Sequence, residues 1–137
     1  MLKLKYIDTG NVRFVIRELP TDMKAAAGSM LARCAARDDA GKYFGVVDKL
    51  FKQQDQLVVQ TTDTLKLVGA QSGMDGQAVD TCLKDQALLD KFVADAKIAQ
   101  EVEKVGNVPT FVINGERSEG NMSFEQMDAK IRPLLKR

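Results

Sequence analysis

The stretch Asn107-Val-Pro-Thr-Phe-Val-Ile-Asn-Gly-Glu-Arg-Ser118 decides the fold. Thr110-Phe111-Val112-Ile113 is a β-branched and aromatic run, and Glu116-Arg117-Ser118 can continue in extended form. The two runs are separated by Asn114-Gly115, residue types that accept the positive φ needed at both positions of a type I′ turn. The spacing therefore predicts a two-strand hairpin over 110–118, introduced by Val108-Pro109. Just beyond it, Ser123-Phe124-Glu125-Gln126 fits a capping box, and Phe124, Met127, Ile131 and Leu134 recur at helical spacing. A last helix follows the hairpin, with Pro133 late enough to remove little of it.

Upstream of the hairpin the periodicity is helical for most of the chain. Thr21 or Asp22 caps a helix running to about Arg37, with Met30, Leu31 and Cys34 on its apolar side. Asp38-Asp39 interrupts and caps a second helix carrying Tyr43, Phe44, Val47, Leu50 and Phe51. A third spans roughly Asp63 to Gln71 and ends at Ser72-Gly73; Asp75 caps a fourth with Val79, Cys82 and Leu83. Asp85 opens a longer helix with Leu89, Phe92, Val93, Ala96, Ala99 and Val102 as its inward stripe and Gly106-Asn107 as its stop. Phe44, Phe51 and Phe92 read as core, while Glu101, Glu103 and Lys104 read as a solvated face.

At the other end, Val12-Arg-Phe-Val-Ile-Arg-Glu18 alternates with a period near two between Gly10-Asn11 and Pro20, which predicts a strand. A lone strand or hairpin is not stable in water, so strands from the two ends must meet. The resulting expectation is a small sheet built from 12–18 and 110–118, with a helical insertion over about 21–105.

Composition bounds the function. The 137 residues suit one domain, and 45% apolar with 28% charged residues exclude a disordered or fibrous chain. Twenty Lys and Arg against nineteen Asp and Glu leave a net charge of +1 with the signs interspersed, so no basic stripe invites a nucleic acid. Apolar runs are far shorter than a membrane span, and Met1-Leu-Lys-Leu-Lys-Tyr6 has no secretory h-region, which taken literally leaves the chain in the cytosol. The absence of histidine removes Ser-His-Asp and Cys-His activation and imidazole metal ligands. Cys34 and Cys82 match neither a CxxC pair nor a zinc set, leaving a structural bridge or two core thiols. No catalytic residue, metal or cofactor is expected.

Further stretches carry a resemblance: Lys5-Tyr-Ile-Asp-Thr-Gly-Asn-Val-Arg-Phe-Val15, Met30-Leu-Ala-Arg-Cys34, Cys82-Leu83, Asn107 to Gly115, and Ser123-Phe-Glu125. With these, the chain resembles the DsbA family of thioredoxin-fold disulfide oxidoreductases. The resemblance implies an α/β, thioredoxin-like, DsbA-type fold with a helical insertion, here as a single incomplete domain over 1–137. The family's CxxC motif, its first central strand and the start of its active-site helix have no counterpart in the sequence.

By the same resemblance, thiol-containing or unfolded proteins are the substrates and the periplasm is the compartment. Val108, Pro109 and Thr110 form the substrate-binding loop, with a cis Val108–Pro109 bond, and Cys34–Cys82 is a candidate for a structural, non-catalytic disulfide. Without an accessible thiolate and a resolving partner the chain is expected to be inactive alone. The alternative is a non-catalytic thioredoxin-like module that binds peptides or a partner; a third reading, a relative acting on glutathione conjugates, also lacks its catalytic position here. A sheet without its central strand leaves open edges. Either the strand at 12–18 moves across to pair with the hairpin, or a second copy supplies the pairing in a homodimer.

Overall fold

A computed structural model describes residues 1–135, which fall into two compact units, residues 18–98 and residues 1–17 with 99 onward. Residues 18–98 are helical. The helices are α1 (Met23–Ala36), α2 (Ala40–Lys52), α3 (Gln54–Val59), α4 (Thr61–Gln71), α5 (Gly76–Leu83) and α6 (Gln86–Glu101), the last running on into the other unit.

Aspartates set the starts. The carboxylates of Asp22, Asp39, Asp75 and Asp85 accept the backbone N–H groups of Ala25 (2.7 Å), Lys42 (3.0 Å), Ala78 (2.7 Å) and Leu88 (3.0 Å), satisfying donors that have no partner within a helix. Gly73, at φ +85°, ends the turn after α4 as its sequence position predicts.

α1 is the central element of this unit, burying Ala26, Gly28, Met30, Leu31, Ala32 and Ala36. Leu31, Val46, Leu65, Val68, Val79 and Phe92 are the largest side chains fully withdrawn from water. Gly69 is required by packing: a Cβ there would collide with Cγ2 of Val79 on α5.

Several helical readings change in the structure. Phe51 is 69% exposed, because the inward row of α2 is Tyr43, Val46 and Leu50 and Phe51 lies about 100° further round. Val93 sits one residue past buried Phe92 and is exposed for the same reason, and Val102 is exposed beyond the end of α6. α3 is a separate short helix, with Gln53 and Gln60 flanking it. α6 stops at Glu101, ahead of Gly106, where the chain turns so that the Ala99 carbonyl accepts Val105 N–H and Lys104 takes φ +56°.

The other unit holds a π-helical turn (Lys3–Ile7), strands β1 (Thr110–Ile113) and β2 (Glu116–Glu119), helix α7 (Phe124–Ile131) and a 3-10 turn (Arg132–Leu135). β1 and β2 pair antiparallel, Thr110 with Glu119 through Ile113 with Glu116. Asn114 and Gly115 stand at φ +48° and +87°, the left-handed values their turn demands. The capping box at α7 is formed in both directions, Ser123 Oγ accepting Gln126 N–H and Gln126 Oε1 accepting Ser123 N–H.

The strand expected over 12–18 is not formed. Among the described residues the sheet has two strands only, and Val12 to Glu18 neither crosses to the hairpin nor joins any ladder. Strand propensity is realised only beside a backbone partner. Here the segment is held by other means: Val12 N–H bonds back to the Tyr6 carbonyl, and Arg17 pairs with Glu103. The sheet therefore consists of 110–113 and 116–119, without 12–18.

Candidate functional site

The candidate loop is built by the hairpin. The Pro109 carbonyl accepts Gly120 N–H at 2.8 Å, extending the pairing one step before β1, and Thr110 Oγ1 donates to the Asn107 carbonyl. Val108 and Pro109 are exposed, Thr110 is half-buried, and the Val108–Pro109 bond is cis. Among the described residues no hydrogen bond engages the backbone of Val108. Val108 is 50% exposed, two residues ahead of β1.

The loop's far side is anchored by Arg117. Its guanidinium donates to the carbonyls of Glu103 and Lys104, tying β2 to the segment after α6. Asn107 Nδ2 donates to Glu119 across the same end of the hairpin.

Asp128 of α7 gathers a polar cluster that sequence reading did not single out. Its buried carboxylate accepts from Lys5 Nζ at 2.5 Å, from the buried Tyr6 hydroxyl and from Arg132 one turn later. The Lys5 ammonium, then the Tyr6 hydroxyl, hold the carboxyl down at about 2, against the upward pull of burial, with Arg132 adding to the same effect. A depression of about 470 Å³ opens beside it, lined among others by Lys5, Phe124, Arg132 and Pro133. A sequence signal existed: Asp128 falls on the row Phe124, Asp128, Ile131, an acid within an apolar stripe.

Because the folded pKa of Asp128 lies below its ordinary 3.8, this cluster stabilises the fold fully above that value and is lost as pH falls through about 2. Acid unfolding followed between pH 4 and pH 2 should be steeper for the native chain than for Asp128→Asn. Parallel curves would remove the cluster from the account of stability.

A second polar cluster sits at the entrance to α1. Glu18 receives a two-pronged fork from Arg33 (2.6 and 2.8 Å) and the Tyr43 hydroxyl (2.7 Å). Burial pulls the Glu18 carboxyl up, and the Arg33 and Tyr43 hydrogen bonds outweigh it, leaving it below its ordinary value. Burial, then the bond to Glu18, raises the Tyr43 phenol. These groups are mutually satisfied and structural in character.

Cys34 of α1 and Cys82 of α5 are joined in a disulfide, Cα atoms 6.1 Å apart, so neither sulfur is a free thiol. The bridge lies against Met30 and Phe92, with Met74, Leu83, Leu88 and Leu89 packed around it. The sequence left a bridge and two reduced core thiols open; the structure forms the bridge. Among the described residues no group of three or more His, Cys, Asp or Glu could hold a metal ion, and no helix is long and apolar enough to cross a membrane.

A family model described as thioredoxin matches residues 1–132. The chain belongs to the thioredoxin family. Its fold is thioredoxin-like, mostly helical with a small two-strand sheet. Among curated relatives, a "Putative protein-disulfide oxidoreductase" of Rickettsia bellii is 30% identical over 132 residues, covering 95% of this chain and 50% of the relative. A protein of the same printed description from Rickettsia typhi is 24% identical over 95% of this chain and 48% of its own length. One from Rickettsia felis is 24% identical over 98% and 48%. The chain thus spans about half the length of the curated relatives it matches. No solved structure matches it.

Within this thioredoxin-family chain, the predicted loop residues Val108, Pro109 and Thr110 open the hairpin, and the predicted pair Cys34 and Cys82 sits in the helical core.

Proposed function

We propose that this chain is the peptide-holding part of a DsbA-type thiol:disulfide oxidoreductase and exchanges no disulfides by itself. The observation that carries the reading is the Val108-Pro109-Thr110 loop, in which Val108 and Pro109 are exposed and the Val108 backbone has no hydrogen-bond partner among the described residues. An extended peptide can take up such a donor and acceptor by main-chain pairing, as in strand addition. The relatives' printed names support a disulfide oxidoreductase, and thiol-containing or unfolded proteins are the corresponding substrates.

The cysteines support the absence of exchange by this chain alone. Exchange needs a disulfide sulfur that a partner thiolate can reach, whereas the Cys34–Cys82 bridge is packed into the helical core, with Cys82 5% exposed. A bridge of that kind persists in oxidising surroundings, which favours the periplasm.

The test uses two readouts. In an insulin-reduction assay with dithiothreitol the chain should give the buffer rate; a rate like that of a CxxC enzyme would show that Cys34 or Cys82 reacts. Titration with a labelled unfolded peptide should saturate, and Pro109→Ala should weaken it, since the proline ring fixes φ at that position and so the direction of the Val108 backbone. Binding unchanged by that substitution would take the loop out of the reading.

A further inference from the structure

We infer that Asn114-Gly115, at the tip of the hairpin, is a site of spontaneous modification: Asn114 loses ammonia to become aspartate or isoaspartate, and the second product undoes the turn. Three observations place the reaction there. Both residues are exposed, and among the described residues neither the Asn114 side chain nor the Gly115 N–H makes a hydrogen bond. Nothing stands within 4 Å of where a Cβ on Gly115 would be, so the attacking nitrogen is unhindered. Their φ values of +48° and +87° define a type I′ turn. That turn differs from the other favoured hairpin turn, type II′, by a flip of the one peptide plane between them.

The flip supplies the reactive geometry. It carries ψ at the first turn position from about +30° to about −120°, and φ at the second from about +90° to about −80°. At the flipped ψ the following nitrogen eclipses Cβ and faces the side-chain amide carbon. Gly115 accepts either sign of φ without steric cost. Asn114 does not favour the flipped state, because positive φ with that ψ suits glycine, so the state is brief and the reaction slow. The Gly115 nitrogen bonds to Cγ of Asn114, the Cγ–NH2 bond breaks, and the Gly115 amide proton ends on the departing ammonia. Water then opens the cyclic imide. Opening at the side-chain carbonyl gives aspartate; opening at the main-chain carbonyl gives isoaspartate, whose backbone runs through Cβ and Cγ and is one atom longer. A tight turn so lengthened no longer holds Ile113 opposite Glu116. Other positions are shielded. Asn11, Asn107 and Asn121 precede Val12, Val108 and Met122, whose side chains crowd the nitrogen, and Asn11 and Asn107 donate to Thr9 and Glu119. Asp75-Gly76 has the same spacing, but its carboxylate is held by the Ala78 N–H as a helix cap.

Incubation of the full chain at mildly alkaline pH tests this, since hydroxide generates the nucleophile. The tryptic peptide 105–117 holds Asn107 and Asn114 together, so mass spectrometry compares the two in one molecule. The mass gain of NH2 replaced by OH should appear at Asn114 about tenfold faster or more than at Asn107. An isoaspartate methyltransferase with labelled S-adenosylmethionine should mark the same peptide. In the aged chain the Glu116 amide, paired with Ile113, should lose its protection from hydrogen exchange. Gly115→Asn, a residue that tolerates positive φ but crowds the nitrogen, should slow conversion about tenfold or more. Asn114→Gly should abolish the label. Circular dichroism matching the native spectrum shows that both variants have folded. Equal rates at Asn107 and Asn114, a Gly115→Asn rate like the native one, or conversion confined to the urea-unfolded chain overturns the inference.

Discussion

A chain carrying Cys34→Ala and Cys82→Ala should unfold in denaturant with a stability lower by about 4 kcal/mol, the chain-entropy value for a cross-link whose sequence separation is 48. The direction follows from the unfolded state. Without the bridge, the ends of a segment holding most of α2 to α5 can drift apart, and folding must bring them back together. For a helical unit whose net stability is a small difference between large terms, a loss of this size is severe. The check is a pair of guanidinium titrations, native chain against double variant. The native chain with dithiothreitol serves as a third arm that breaks the same bond without changing a residue. A double variant within 1 kcal/mol of the native chain would show that the tertiary contacts of α1 and α5 already hold those ends in the unfolded ensemble.

Phe92→Ala should cost about 3–5 kcal/mol, as truncation of a buried aromatic leaves a cavity that its neighbours fill only partly. Phe92 is 2% exposed and is the fully buried side chain of α6, with Leu88 and Leu89 of the same helix packed beside it. It packs in the cluster that contains Met30 and Cys82. The two substitutions are therefore expected to couple: the triple variant should lose less than the sum of the separate losses, because contacts around Cys82 are counted in both. Strict additivity in the same titration would place Phe92 and the bridge in independent parts of the core.

The features legible in the sequence were those fixed by local chemistry. Asn114-Gly115 requires left-handed φ, and Asp22, Asp39, Asp75 and the Ser123–Gln126 box answer the free amides of a helix start; each acts over a few residues and was readable from them. The strand expected over 12–18 failed because its alternation reports only a propensity, while a strand exists by virtue of an edge to pair with. Phe51 and Val93 were misplaced because helical spacing identifies an apolar stripe without fixing its width, and each lies one residue outside the buried row.

Of the candidate site, the loop at Val108-Pro109-Thr110 and the two cysteines stood out by residue type. The Asp128 cluster did not, since Lys5 and Tyr6 lie more than a hundred residues from Asp128 and only the fold brings them together. Glu18, Arg33 and Tyr43 show the same difficulty at shorter range: Glu18 and Arg33 are ordinary surface residues by type and Tyr43 reads as part of an apolar row, so their mutual satisfaction is visible only in three dimensions.

The bridge also changes what a protease can accomplish. Any backbone cut between Cys34 and Cys82, for example near Val58 and Val59 at the exposed end of α3, leaves two fragments that remain one covalent molecule. Such a nicked chain would migrate as intact protein until a reductant is added, so damage in this part of the polypeptide is concealed rather than shed.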